Sequence, residues 1–452
     1  MICGALQNFP SLTDFEPMGK KALIITYYWP PSGGGGVQRW LKFAKYLPDF
    51  DWQPIIFTPE NPDFELQDDT LLKDIPDSCE VLKLPITEPF GVYKKLLGKK
   101  ANQQQGVVSK GKSSLLGKMA IWVRGNWFIP DARMLWIKPA SKFLVKYLKD
   151  NPVDVIITTG PPHSMHMIGA AVKKKTGIPW LADFRDPWSQ WDVLPQLQLT
   201  QKSWEKHKQM EFEVLNMADK VLTVSKRLGQ ALDELAGVPG VEVINNGFDE
   251  SDFAEQEPQK AGEFVMVHMG LLNEGRNPGK LWRVLNKKCA HDPEFRKELS
   301  IVLAGTIEQG VKEELDRLEY LKERVTILDY VPHEEVLTIY QRASVFLLLV
   351  NNTSNSSWII PGKLYEYLAG SKPILPFGRK ESDANDLLEA CGYDPFLSYD
   401  DQSGIEERIN QLYAQYKSGE QVIDPQQVSR FNRKRLTKSL VEILEDLALK
   451  DT

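Results

Sequence analysis

Apolar residues along the chain come in short unbroken runs, each closed by a turn signal and followed by a stretch with helical spacing. The first runs are KALIITYYWPP (21–31), QPIIFTPE (53–60), VDVIITTGPP (153–162), IPWLADFRD (178–186), DKVLTVS (219–225) and VEVINNG (241–247). Strands of a parallel sheet are covered by helices on both faces, so they read as continuous apolar runs rather than as alternating ones. After the polar stretch EQEPQKAGE (255–263) the grammar restarts with FVMVHMG, LSIVLAG, VTILDYV, ASVFLLLV and KPILPFG. The pattern predicts an α/β chain of two doubly wound, Rossmann-like domains, residues 20–254 and 263–425, joined by a linker at 255–262. A closing helix over 426–452 has no strand after it and is expected to pack back on the N-terminal domain. Residues 1–19 precede the first strand-like run and are expected to form a disordered extension. In such sheets ligands bind beyond the carboxyl ends of the strands, so two facing domains make one deep cleft.

With 452 residues, 42% of them apolar and 26% charged, the chain is too long for one ordinary core and too apolar to be disordered, which agrees with two domains. Cys3, Cys79, Cys289 and Cys391 lie far apart and form no C-x-x-C pair, so neither a zinc site nor a disulfide framework is indicated, and a reducing cytoplasm is expected. No run of about 18 apolar residues suggests a membrane span, and the opening MICGALQNFPSLTDFEP lacks the basic start and apolar middle of a signal peptide.

The net charge of −6 hides an asymmetry. Between Lys94 and Lys149 stand thirteen Lys or Arg and one acid, Asp131, a local charge of +12 that leaves −18 on the rest of the chain. Leu96, Leu97, Leu115, Leu116, Ile121, Trp122, Trp127, Phe128 and Trp136 are interleaved with these charges. That mixture suits anionic lipid headgroups at the inner face of a membrane better than it suits nucleic acid. The alternative is a solvated helical face with core-facing aromatics.

Three stretches carry candidate chemistry. In PPSGGGGVQRW, Gly33 to Gly36 leave backbone N–H groups open to a ligand, and the helix beginning near Val37 adds the positive end of its dipole. Gly35 and Gly36 are the candidate contacts. The stretch is neither a Walker A loop nor G-x-G-x-x-G, because Gln38 stands where the third glycine would fall. In HMGLLNEGRNPG, Arg276 precedes a helix start marked by Pro278, where a guanidinium can fork onto a diphosphate. In PGKLYEYLAG, the N–H groups of Gly362, Lys363 and Leu364 open a helix and Lys363 adds charge, while Glu366, one turn on, can accept hydrogen bonds from the vicinal hydroxyls of a ribose. A nucleoside diphosphate is the ligand these three stretches imply. His163 and His166 in TTGPPHSMH, and Asp183, Arg185 and Asp186 in LADFRD, follow buried strands at the expected ligand edge. His163 is a candidate partner for a sugar or an acceptor, and His166 is expected to pack. The three charged residues either orient an acceptor hydroxyl or pair with one another.

Together with INNGFDESDF (244–253) and VTILDYVPHEEVLTIYQRASVFLLL (325–349), these stretches resemble the large retaining family 4 of GT-B glycosyltransferases, in the family's order and across nearly the whole chain. The resemblance implies a GT-B fold, with a UDP- or GDP-type nucleotide sugar bound mainly by the C-terminal domain and a glycan or lipid-linked acceptor bound mainly by the N-terminal one. It implies no cofactor and no obligatory metal, and it points to cell-surface polysaccharide synthesis. His163, Arg276 and Lys363 are the catalytic candidates, and the resemblance requires no protein nucleophile. The sequence departs from the family in three places. Trp358 stands where a Glu is usual, Leu271 where an Arg is usual, and Thr159 where a His is usual. The alternatives are a nucleotide-sugar epimerase of the same architecture and a nucleotide-sugar-binding protein without turnover.

Overall fold

A computed structural model describes residues 19–449 apart from 65, 89–114, 192–193, 254–261, 330, 332, 352 and 420–424. Residues 1–18, the start of the basic segment and most of the linker therefore lie outside the described residues. Seven strands form the first sheet: β1 (Lys20–Ile25), β2 (Trp52–Pro59), β3 (Glu80–Leu84), β4 (Val155–Gly160), β5 (Trp180–Phe184), β6 (Lys220–Thr223) and β7 (Val241–Val243). Their order is β3-β2-β1-β4-β5-β6-β7, parallel throughout. The second sheet holds β8 (Phe264–Met269), β9 (Leu299–Ala304), β10 (Val325–Leu328), β11 (Val345–Leu349) and β12 (Ile374–Phe377) in the order β10-β9-β8-β11-β12, again parallel. The two doubly wound α/β domains expected from the apolar runs are present. β4, β5, β8 and β11 are buried along their whole length, as sheets covered on both faces require.

β3 has no counterpart among the apolar runs. It is an edge strand, EVLKL, with exposed Glu80 and Lys83, so its pattern alternates and is short.

Helices follow from their spacing. In α1 (Gly35–Tyr46), Val37, Trp40, Leu41 and Ala44 fall at i, i+3, i+4 and i+7 and are all buried. Two further helices lie within the basic segment. α2 (Leu115–Trp127) is followed by α3 (Ile137–Asp150), which buries Ala140, Leu144 and Leu148 and leaves Lys138, Lys142, Lys146 and Lys149 exposed on its other side. α4 (Ser164–Thr176) follows β4, α5 (Lys226–Ala236) follows β6, α6 (Gly362–Ala369) follows β11, and α7 (Asp383–Ala390) follows β12. The closing helix α8 (Arg433–Leu449) belongs by packing to the N-terminal domain. Its Leu436, Leu440, Leu444 and Leu447 share a core with Ala22, Ile24, Trp40 and Leu41.

The domains meet through specific contacts as well. Ser225 Oγ donates to the Trp358 carbonyl at 2.7 Å. The Arg227 guanidinium pairs with Asp383 at 2.9 Å and Asp386 at 2.7 Å, so the start of α5 is clamped to the start of α7. The chain crosses back through paired backbone, Phe248 N–H to the Phe431 carbonyl at 3.1 Å and Arg433 N–H to the Phe248 carbonyl at 2.9 Å. No helix among the described residues is long and apolar enough to cross a membrane.

Candidate functional site

Strand order reverses between β1 and β4 in the first sheet and between β8 and β11 in the second. At such switch points the loops beyond the carboxyl ends of the strands part and leave a crevice. The glycine-rich turn follows β1, the His163 turn follows β4, the Arg276 turn follows β8 and the Lys363 turn follows β11.

The four glycines of the first turn do different work. Gly34 takes the left-handed conformation at φ +82° and stands at the N-terminus of α1, which no side chain caps. A Cβ on Gly36 would come within 3.1 Å of the Tyr28 ring, whereas one on Gly35 would meet nothing within 4 Å. Gly35 thus faces the open side, and Gly36 is held from behind, its carbonyl accepting from Arg185 Nη1 at 2.7 Å. The other amino group of Arg185 reaches the Pro161 carbonyl at 2.6 Å. Arg185 therefore ties the turn after β1 to the turn after β4 rather than pairing with Asp183.

Asp183 is fully buried. Its oxygens accept from Arg39 at 3.1 and 3.2 Å, from Trp40 Nε1 at 2.6 Å and from Thr159 Oγ1 at 3.1 Å. Arg39 also donates to the carbonyls of Ile244 and Asn245. This network fixes α1 on the sheet and leaves Asp183 no open face toward a ligand. Asp186, by contrast, is exposed. His163 is 5% exposed and lies flat on Trp188, with ring centroids 4.6 Å apart, and both its ring nitrogens lack a partner among the described residues. Burial, with His166, His207 and Arg185 adding to it, holds its pKa well below the usual histidine value, so the ring is neutral. His166 packs on Phe184 and bonds Thr158 Oγ1 at 2.8 Å.

On the second sheet, Gly270 stands at φ +121°, and a Cβ there would come within 2.5 Å of Lys363 Nζ. Only glycine lets the lysine lie across the strand end. Arg276 donates through Nε to Asn351 Oδ1 at 2.7 Å. Burial lowers the pKa of both cations; for Lys363 the charge of Glu366 opposes the shift and Arg276 adds to it. Neither forms an ion pair within 4 Å among the described residues. Beneath them His268, buried in β8, is held neutral at about 4 by burial. Glu366 Oε2 accepts from Tyr340 Oη at 2.5 Å.

One expectation at this turn needs correcting. Leu364 N–H is not free: it donates to the Pro361 carbonyl at 3.0 Å, because the helix opens with a tight turn, which leaves the N–H groups of Gly362 and Lys363 for a ligand. Gly362 is exposed, with nothing within 4 Å of a Cβ position. Gly35, Gln38 and Lys42 of the first domain and Gly362 and Glu366 of the second line one cavity together with Arg433.

Sequence reasoning missed Tyr340, Asn351, Arg39 and Arg433. Arg39 alone carried a signal, an arginine between Val37 and Trp40 on a helix that buries both. Within the basic segment, Trp136 and Arg133 also lie elsewhere than on a surface. Trp136 is buried, stacked on Phe57 at 5.0 Å, and Arg133 pairs with Glu88 at 3.1 Å. No cluster of three or more His, Cys, Asp or Glu with metal-ligand geometry occurs among the described residues.

Comparison with known proteins gives a family for the first domain and a fold for the whole. Residues 33–252 match Glycosyltransferase Family 4. Among solved structures, a sucrose-phosphate synthase from Thermosynechococcus elongatus aligns with TM-score 0.62 at 13% identity, over 95% of this chain and 99% of that one. A glycosyltransferase from Rickettsia africae ESF-5 gives 0.61 at 14%, over 96% and 100%. An α,α-trehalose-phosphate synthase (UDP-forming) from Burkholderia vietnamiensis gives 0.60 at 11%, over 96% and 100%. At these identities the likeness is one of fold, the GT-B arrangement. No curated protein sequence matches significantly.

Proposed function

We propose, from the match of residues 33–252 to Glycosyltransferase Family 4, that the protein moves a sugar from a nucleoside diphosphate sugar to a hydroxyl of a glycan or lipid-linked glycan. The observation that carries this is the pair Lys363 and Arg276, two partly buried cations without a carboxylate in contact, set beside an uncapped helix start. Burying like charges together is unfavourable unless an anion joins them, and a diphosphate brings the charge that is lacking. The donor would be UDP- or GDP-linked; the trehalose-phosphate synthase of the same fold is UDP-forming.

In the reaction the bond between the anomeric carbon and the phosphate oxygen breaks, a bond from that carbon to the acceptor oxygen forms, and the hydroxyl proton passes to a phosphate oxygen of the departing diphosphate. Lys363, Arg276 and the Gly362 and Lys363 N–H groups stabilise the charge that accumulates on the departing diphosphate. Glu366, oriented by Tyr340, takes the ribose hydroxyls. Gly35 brings the α1 N-terminus to the same cleft, and Asp186 and His163 stand on the acceptor side. Transfer with retention, without a metal, and onto cell-surface polysaccharide at a membrane face completes the proposal. Its support is the family's chemistry together with the exposed Met119, Trp122 and Trp127 of α2.

Incubation with a panel of UDP-, GDP- and ADP-sugars, following release of the nucleoside diphosphate, tests this. Release from one donor that speeds up with acceptor is the expected result. Isomerisation of the sugar would make the protein an epimerase, and binding without turnover would make it a nucleotide-sugar binder; either outcome rejects the transferase.

A further inference from the structure

Arg433 opens α8, the helix that returns from the second domain to the first. It is 5% exposed, and its Nη1 has no partner among the described residues. It makes no ion pair within 4 Å there either. The carboxylates that bear on it, Asp249 and Glu366, are already engaged. Asp249 accepts from Lys42 at 2.9 Å, Lys45 at 2.8 Å and Tyr46 at 2.6 Å, and Glu366 accepts from Tyr340. Arg39, whose charge Asp183 balances, also bears on it. Burial, with Arg39 adding to it, lowers the Arg433 pKa to about 10, so the group remains a cation at neutral pH. A structural arginine at a domain junction would be expected to spend its donors on nearby carboxylates or carbonyls, as Arg39 does.

The cavity that Arg433 lines also contains Gly35 and Gly362, the first residues of α1 and α6. Both helices lack a side-chain cap, so each leaves N–H groups for an acceptor that the protein does not supply. Two helix starts from opposite domains and a buried guanidinium whose Nη1 lacks a partner among the described residues thus meet in one cavity, which Asp249, Asp252 and Glu366 also line. A phosphate, with three acceptor oxygens and its negative charge, matches that donor set.

We propose that Arg433 is a phosphate-binding residue of the interdomain cavity, so that α8 supplies a ligand contact as well as joining the domains. The phosphate belongs either to the donor's diphosphate or to a phosphorylated acceptor. The donor assignment rests on the reading of the cleft given above, whereas the phosphate contact itself does not.

Parent, Arg433→Gln and Arg433→Lys are titrated with inorganic pyrophosphate, UDP, GDP, uridine, guanosine and farnesyl phosphate. In Arg433→Gln, pyrophosphate affinity should fall about tenfold or more, with nucleoside affinity unchanged. Beside the loss for pyrophosphate, a parallel loss for UDP or GDP assigns the donor, and a loss for farnesyl phosphate with UDP and GDP unchanged assigns the acceptor. Without ligand, Arg433→Gln should melt at or above the parent's temperature, because an unpaired buried charge has been removed. If that variant does not fold, Arg433→Lys keeps the charge without the fork and should lose several-fold in the phosphate arms only. Undiminished pyrophosphate affinity in the variant used, or no pyrophosphate binding by the parent, overturns the proposal. Failure of every nucleotide to bind would sink the transferase reading yet leave the pyrophosphate arm to decide on Arg433.

Discussion

Glu366 shows how far a single residue could be read in advance. Its place one turn inside a Pro-Gly helix start suggested a carboxylate reserved for hydroxyls, and the fold puts it in the interdomain cavity with one oxygen accepting from Tyr340. Tyr340, 26 positions earlier in the chain, could not be anticipated, because only tertiary packing brings the two together. The same holds for Asp183, which looked like a ligand at a strand end and is instead the counter-charge of Arg39, a pairing across 144 positions. Glu366→Ala removes a charged acceptor from the proposed ribose contact and should weaken nucleoside diphosphate binding by about 1.5–3 kcal/mol. Tyr340→Phe, which only frees the carboxylate to turn, should cost about 1 kcal/mol or less. Calorimetric titration with UDP and GDP measures both, and unchanged affinity in Glu366→Ala would take the residue out of the site.

Among elements, the buried strands were legible because parallel sheets leave continuous apolar runs, and the edge strand β3 was not, because exposed Glu80 and Lys83 interrupt it. The basic segment was legible in charge but not in geometry. Its described part divides in two. α3 turns Lys138, Lys142, Lys146 and Lys149 outward over a buried apolar face, which is how a solvated helix is built. α2 differs, for Met119 is 59% exposed, Trp122 38% and Trp127 67%, beside exposed Lys118 and Arg124. Aromatic rings beside cations form the mixture that enters a headgroup layer. Vesicles containing anionic lipid should bind the protein in a salt-sensitive way, each Lys or Arg near the surface contributing about 1 kcal/mol at low ionic strength. Trp122→Ser with Trp127→Ser should weaken that binding more than Lys142→Gln with Lys146→Gln. Equal partitioning onto neutral and anionic vesicles would return α2 to the class of solvated helices.

At the scale of the whole molecule the domains differ in how much neutral histidine they bury. His163, His166 and His207 lie in the first domain and His268 in the second, and burial is the main cause that keeps all four below the usual value. His166 is held at about 3, and His207 and His268 at about 4. In the unfolded chain each would titrate near 6.5. Between that value and the folded one the unfolded state binds protons that the folded state refuses, so the stability present above about pH 6.5 is lost as pH falls. Each histidine contributes about 1.4 kcal/mol per pH unit through that window. Glu211, buried beside Ser189 with its pKa raised by burial, runs the other way and offsets part of the loss in the first domain. Because the two domains need not unfold as one, the first should yield to acid before the second. Urea unfolding at a series of pH values between 7 and 4.5, followed by tryptophan fluorescence, reads this, since Trp188 stacks on His163 and donates to His207 Nδ1 at 3.0 Å. His207→Gln keeps an acceptor for Trp188 but cannot titrate, so its unfolding free energy should depend on pH less steeply, by about 1.4 kcal/mol per pH unit in the lower half of that range. A slope identical to the parent's would mean that His207 is protonated as readily in the folded domain as outside it, and that acid stability is set by the carboxylates instead.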